Sequence, residues 1–140
     1  MITPLTRVEA ARLQVVRELG RSETELHDAL TRRHGLGLSD YRALTVLAAA
    51  ADGELRMTVL ADTLGLNQSS VTRLVQRLER SGFCVRDLCP NDGRGVYAVI
   101  TLAGRAAAAD ARPVYLARLA AGRQRARTTG DRPEDERIAR

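Results

Sequence analysis

The chain has 140 residues, 44% of them hydrophobic, which is enough to pack one domain and leaves little room for a second. Three Tyr, one Phe and no Trp exclude a single-strand binder built on rows of stacking rings, and two Cys exclude a disulfide-rich secreted scaffold. The 22 basic residues, all Arg, outnumber 17 acids to leave a formal charge of +5; an Arg- and Ala-rich composition explains that excess as readily as an anionic partner does, so only its placement is informative. Residues 5–32 read as one long helix, with Leu5, Val8, Val15, Leu19, Leu26 and Leu30 forming an apolar stripe at spacings of three, four and seven. Thr3-Pro4 opens it, and Gly35 and Gly37 stop it. Ser39 is the expected cap of a second helix carrying Tyr41, Leu44, Leu47 and Ala51, ended by Asp52-Gly53. Thr58 is the expected cap of a short third helix that stops at Gly65, and Asn67 of a fourth that stops at Ser81-Gly82.

The period then changes. Phe83 to Cys89 and Val96 to Leu102 read as two strands flanking Pro90-Asn91-Asp92-Gly93-Arg94-Gly95, a hairpin with a long tip of turn-forming residues. Thr101 can cap a fifth helix, in which Leu102, Ala106, Ala109, Pro113, Leu116 and Ala120 make a coiled-coil-like seam. Pro113 removes one helical hydrogen bond and predicts a kink. From Gly122 onward only Ala126, Ile138 and Ala139 are apolar, which predicts a tail that buries little and is partly disordered. No apolar run approaches the roughly 18–20 residues that cross a bilayer, and Met1-Ile2-Thr3-Pro4-Leu5 lacks the basic start of a secretory signal. The expected location is the cytoplasm.

The informative stretch is Thr58 to Gly95. In its fourth helix Val71, Leu74, Val75 and Leu78 face inward, which turns Ser69, Arg73, Gln76 and Arg80 outward with Thr72 and Arg77 on the flanks. Arg can donate two hydrogen bonds to guanine and Gln can pair with adenine, while the amino end of a helix favours phosphate. Such a face is also an ordinary solvated one when a helix stands alone. The preceding helix changes that weighting. Ala61 sits four residues before Gly65 among Leu60, Leu64, Leu66, Val71 and Leu74, so a small residue permits a close helix crossing, a Gly permits the tight turn, and an apolar set locks the pair. This combination resembles the helix-turn-helix pattern, and the hairpin after it makes a winged version. At the tip, Arg94 between two Gly can reach a narrow minor groove. Asp92 reads as a wing support that orients an Arg, with Arg94 and Arg77 as candidates, or as a plain turn residue.

Order and wording resemble the MarR family of bacterial winged-helix regulators over about residues 5 to 121. The resemblance rests on Leu55-Arg56-Met57-Thr58, on Leu60-Ala61-Asp62-Thr63-Leu64-Gly65-Leu66, and on Ser70-Val71-Thr72-Arg73-Leu74-Val75-Gln76-Arg77-Leu78-Glu79-Arg80-Ser81-Gly82. Asp92-Gly93-Arg94-Gly95 and Leu102-Ala103-Gly104-Arg105 follow in the matching order. It implies a mainly α fold with a small β-hairpin wing: a dimerisation helix in 1–38, a winged helix-turn-helix DNA-binding region in 39–101, and a dimerisation helix with a short tail in 102–140. It implies a homodimer on a pseudo-palindromic double-stranded site, with Gln68, Ser69, Ser70, Thr72, Arg73 and Arg77 at the major groove and Arg94 at the minor groove. A repressor released by a small aromatic or phenolic anion is the implied function, and Tyr41 and His34 would lie near such a pocket, though each also reads as a structural contact. The family's further closing helix is matched only at its start, by Pro133-Glu134-Asp135-Glu136, which would leave the dimer resting on the first and fifth helices.

Other chemistry finds little support. Cys84 and Cys89 would stand roughly 16 Å apart in an extended strand, beyond disulfide reach; a redox-responsive regulator through them is an alternative, as is a winged-helix protein-interaction module without DNA binding. No metal-ligand spacing, phosphate-binding glycine loop, His-Glu-x-x-His or nucleophile elbow occurs, so neither an enzyme nor a cofactor is expected.

Overall fold

The computed structural model describes residues 3–88 and 95–130. Helix α1 spans Arg7–His34, α2 Leu38–Ala49, α3 Met57–Leu64, α4 Gln68–Arg80 and α5 Leu102–Gly130; strands β1 (Glu54–Arg56), β2 (Cys84–Leu88) and β3 (Val96–Ile100) form one antiparallel sheet in the order β1-β3-β2. None of the described helices is long and apolar enough to cross a membrane.

The helix starts separate local chemistry from tertiary chemistry. Helix α1 begins after Thr6, not at Pro4, because Thr6 and Glu9 form a reciprocal capping box in which the Thr6 N–H donates to the Glu9 carboxylate at 2.8 Å. Asn67 caps α4 as expected, accepting the Ser70 N–H at 2.9 Å. Ser39 does not cap α2. Gly37 stands at that position without a side chain, and the Leu38 N–H donates instead to Nδ1 of His27 on α1, at 3.2 Å. Thr58 does not cap α3 either: the helix starts at Met57, straight out of β1, and Arg56 stands at the cap position. That three-residue strand is too short to show a period of two, and it exists because its backbone pairs with β3 in the register Leu55 to Ala98.

The second helix closes at Ala49, short of Ala51, and a single 3-10 turn over Ala51–Gly53 carries Asp52 at a φ of 55°. Between α3 and α4, Gly65 takes a φ of 67°, the left-handed geometry the tight turn demands. Gly104 is required for a different reason. A Cβ there would collide with the Phe83 carbonyl oxygen, so α5 can start against the sheet only without a side chain at that point. Thr101 fastens the same corner, accepting the Gly104 N–H at 3.1 Å and donating to the Gly82 carbonyl at 2.6 Å.

The core lies among α2, α3, α4 and the base of the sheet, where Leu44, Leu47, Leu60, Val71, Leu74, Val75, Leu78, Cys84 and Ala98 are buried. Helix α1 divides along its length: Leu26 and Leu30 enter this core, whereas Leu5, Val8, Val15 and Leu19 are exposed. Helix α5 continues through Pro113 and past Gly122 to Gly130, so residues 122–130 are helical where the composition predicts a tail; the rest of that expected tail, 131–140, lies outside the described residues. Its inner face is a small-residue face, Gly104, Ala108 and Ala111, continued by the half-buried Tyr115 and Leu119. The seam from Leu102 to Ala120 turns the other way and faces solvent in the single chain.

Candidate nucleic-acid interface

The amphipathic order of α4 decides what it presents. Val71, Leu74, Val75 and Leu78 are at most 1% exposed, so the opposite face has no choice but to look outward. Gln68, Ser69, Arg73, Arg77 and Arg80 are exposed, and Ser70, Thr72 and Gln76 are half-buried. The six expected helix residues are therefore brought together on one accessible surface.

Their internal commitments differ. The Ser69 hydroxyl donates to the capping Asn67 at 2.9 Å, the Thr72 hydroxyl to the Gln68 carbonyl at 2.8 Å, and Arg73 Nε to the Ser69 carbonyl at 3.3 Å. These bonds stay within the helix and leave most of the Arg73 guanidinium open. Among the described residues, the side chains of Gln68, Gln76 and Arg80 make no such bond. Arg77 is different: its Nη2 donates to Asp40 Oδ1 on α2 at 2.8 Å. Of the two Arg considered as partners of Asp92, Arg77 is thus paired with Asp40. Asp92, Arg94 and Cys89 lie outside the described residues. Asp40 is a site residue that sequence reasoning missed; an acid in the first turn of α2 was legible as helix-dipole chemistry, but not its reach to a residue 37 positions on.

Cys84 is a core residue. It is 1% exposed, and burial, followed by the nearby Glu79 charge, pushes its thiol up to about 11. Thiolate is then scarce at neutral pH, which removes the nucleophile a redox sensor needs at this position.

A concavity of about 470 Å³ opens between α2, α3 and α5. Tyr41 and Tyr115 meet in it with ring centroids 4.6 Å apart, and Arg42 and Arg112 stand at its wall. Arg42 is committed to Glu23 of α1 through two bonds of 2.7 and 2.6 Å, which hold the Glu23 carboxyl below its ordinary range. Arg112 has no ion-pair partner among the described residues. Tyr41 is buried and lines this space; His34 is exposed at the end of α1 and does not.

A sequence model of the MarR family matches residues 34–95, from the end of α1 to the start of β3. The solved structure of Sco5413, a MarR family transcriptional regulator from Streptomyces coelicolor, is 31% identical with a TM-score of 0.69, covering 77% of this chain and 74% of that one. The chain belongs to the MarR family. Sco3205 of the same organism, a MarR family regulator solved in complex with DNA, superposes with a TM-score of 0.79 at 27% identity, over 97% of this chain and 82% of that one. An uncharacterized HTH-type transcriptional regulator of Bacillus subtilis, YcgE, is 34% identical over 94 residues, 67% of this chain and 60% of the relative. The chain thus spans about three-fifths of the length of the curated relatives it matches. Within the MarR frame α3 and α4 are the helix-turn-helix pair, and β2 and β3 flank the wing.

Proposed function

We propose that this MarR-family chain is a sequence-specific DNA-binding transcriptional regulator acting as a cytoplasmic homodimer on a pseudo-palindromic operator. The observation that carries this reading is the outward face of α4, where Gln68, Arg73, Arg77 and Arg80 stand exposed along a helix anchored by four buried apolar residues. We place Gln68, Ser69, Ser70, Thr72, Arg73 and Arg77 against the major groove, and Arg94 with Asp92 in the wing. The division into a first dimerisation helix (1–38), a winged unit (39–101) and a second dimerisation segment (102–140) follows. The exposed seam of α5 and a groove of about 560 Å³ between α1 and α5, lined by Val15, Leu19, Leu119 and Ala126, support a second copy as the partner. Two recognition helices must then sit about 34–36 Å apart to enter successive major grooves.

The regulator is read as a repressor that occludes promoter DNA and is released by a small aromatic or phenolic anion. The cavity beside Tyr41 and Tyr115 supports that ligand class, since it joins two rings to an uncommitted Arg112. It lies between α2 of the winged unit and α5 of the dimer arm, so a ligand wedged there changes the spacing of the two reading heads and shifts the population away from DNA-competent dimers.

The test is sequencing of genomic fragments selected by the purified protein. Two inverted half-sites about one helical turn apart are expected. Arg73→Ala should cost about 1–3 kcal/mol of affinity and relax the preference at one base pair if Arg73 reads a base. Recovery of fragments without a shared motif would defeat the reading.

A further inference from the structure

The Arg residues of α4 do not offer their charge equally. Arg73 spends one N–H on its own helix, and Arg80 has no partner among the described residues, so both present a full positive charge. Arg77 is neutralised by Asp40. The two partners are also unequal. The Asp40 side chain is 17% exposed and the Arg77 side chain 50% exposed, which makes the acid the anchored member and the guanidinium the movable one. Asp40 stands in the first turn of α2, where the free N–H groups and the helix dipole favour a carboxylate. Its second oxygen is packed toward Gly37, 3.3 Å from where a Cβ there would sit, and the His27 ring lies on the same side.

We propose that Asp40 is a specificity-determining residue: it holds Arg77 against α2, so that Arg77 becomes a phosphate contact only where the DNA backbone comes close enough to displace the carboxylate. The proposal rests on the reading of α4 as the DNA-facing helix. A half-exposed ion pair has little net strength in water, so exchanging a carboxylate for a phosphate is easily done when the phosphate is well placed. When it is poorly placed, the pair stays closed and adds nothing to counterion release, the sequence-independent part of DNA affinity. Arg73 and Arg80, both exposed on α4, already feed that non-specific part, and withholding a third guanidinium from it raises the ratio of operator to random binding.

The experiment is a double-mutant cycle with Asp40→Ser and Arg77→Ala, reading the salt dependence of binding to a random duplex. Asp40→Ser should bind several-fold tighter than the parent, with the slope of log affinity against log salt steeper by about 0.9. In the Arg77→Ala background the same change should leave affinity within about twofold and the slope unaltered. Equal tightening in both backgrounds would mean that the Asp40 charge acts alone, and no tightening in either would mean that Arg77 is not withheld; each overturns the proposal. Asp40→Asn serves the same purpose if Ser disturbs the turn. A reading without DNA is the rate at which phenylglyoxal modifies Arg77, followed by peptide mass spectrometry. It should rise several-fold in Asp40→Ser, and an unchanged rate removes the gate whatever DNA does. If modification accelerates while no variant binds any duplex, the DNA reading of α4 fails first and the proposal falls with it.

Discussion

The winged unit and the helical arm use the same residue types and leave them in opposite states. In the winged unit Leu44, Leu47, Leu60, Leu74 and Leu78 are at most 1% exposed; in the first half of α1, Val8, Val15, Val16 and Leu19 are all above 60%. The difference is geometric. Helices α2, α3 and α4 and a three-stranded sheet enclose a volume, so an apolar side chain on any of them meets neighbours on several sides. Helices α1 and α5 meet along one line, which leaves the rest of each helix uncovered. Among the described residues the apolar side chains of the winged unit are covered within one chain, whereas the first half of α1 leaves its own uncovered, and the proposed second copy is what would cover them, since contiguous exposed apolar surface of this kind marks interaction sites.

Mutations on the two sides of this divide should behave differently. The largest effect is expected inside the enclosed unit, where Leu74→Ala should lower unfolding stability by about 3 kcal/mol, measured by urea denaturation. Leu19→Asp, on the open arm, should leave the helical content of the chain intact but sediment as a monomer, with operator affinity reduced roughly hundredfold as the second reading head is lost. A Leu19→Asp protein that unfolds instead would show that the first half of α1 is integral to the single-chain fold, and the contrast would fail.

Two smaller effects probe the ties between the regions. His27 of α1 supplies the acceptor for the first N–H of α2, so His27→Ala should cost about 1 kcal/mol of thermal stability, as loss of a helix cap does. Glu23 of α1 and Arg42 of α2 form another tie, and its pH dependence has a definite sign. The Arg42 hydrogen bonds hold the folded Glu23 carboxyl below its ordinary value, so its stabilisation is present above the ordinary carboxylate range and is lost as pH falls through the folded value. Because both side chains are 37% exposed, the effect is small. Glu23→Gln should cost about 0.5 kcal/mol near pH 7, and the difference from the parent should narrow as pH falls below the ordinary carboxylate range.

Legibility followed the range of the interaction. The fourth helix, its Asn67 cap, its stop and its outward face were readable because each depends on residues within about two turns. The caps of α2 and α3 were misread for the converse reason: His27 is eleven positions from Leu38, and β1 exists only because β3 lies beside it. The seam of α5 was visible as a repeat, yet the face that packs into the chain, Gly104, Ala108 and Ala111, was hidden by its small residues, which carry weak hydrophobic signal and pack by permitting close approach.

Periodicity and turn chemistry thus determined the order of helices and hairpin and the polar, Arg-bearing face of α4, because amphipathic spacing and turn chemistry are local properties of consecutive residues, and the resemblance of their motifs to a known family supplied the winged helix-turn-helix. Which Arg on that face is free and which is held, where the cavity opens, and that Cys84 is a core thiol were decided only by the tertiary fold. Those are properties of residues brought together from distant parts of the chain, and Arg77 beside Asp40 is the clearest of them.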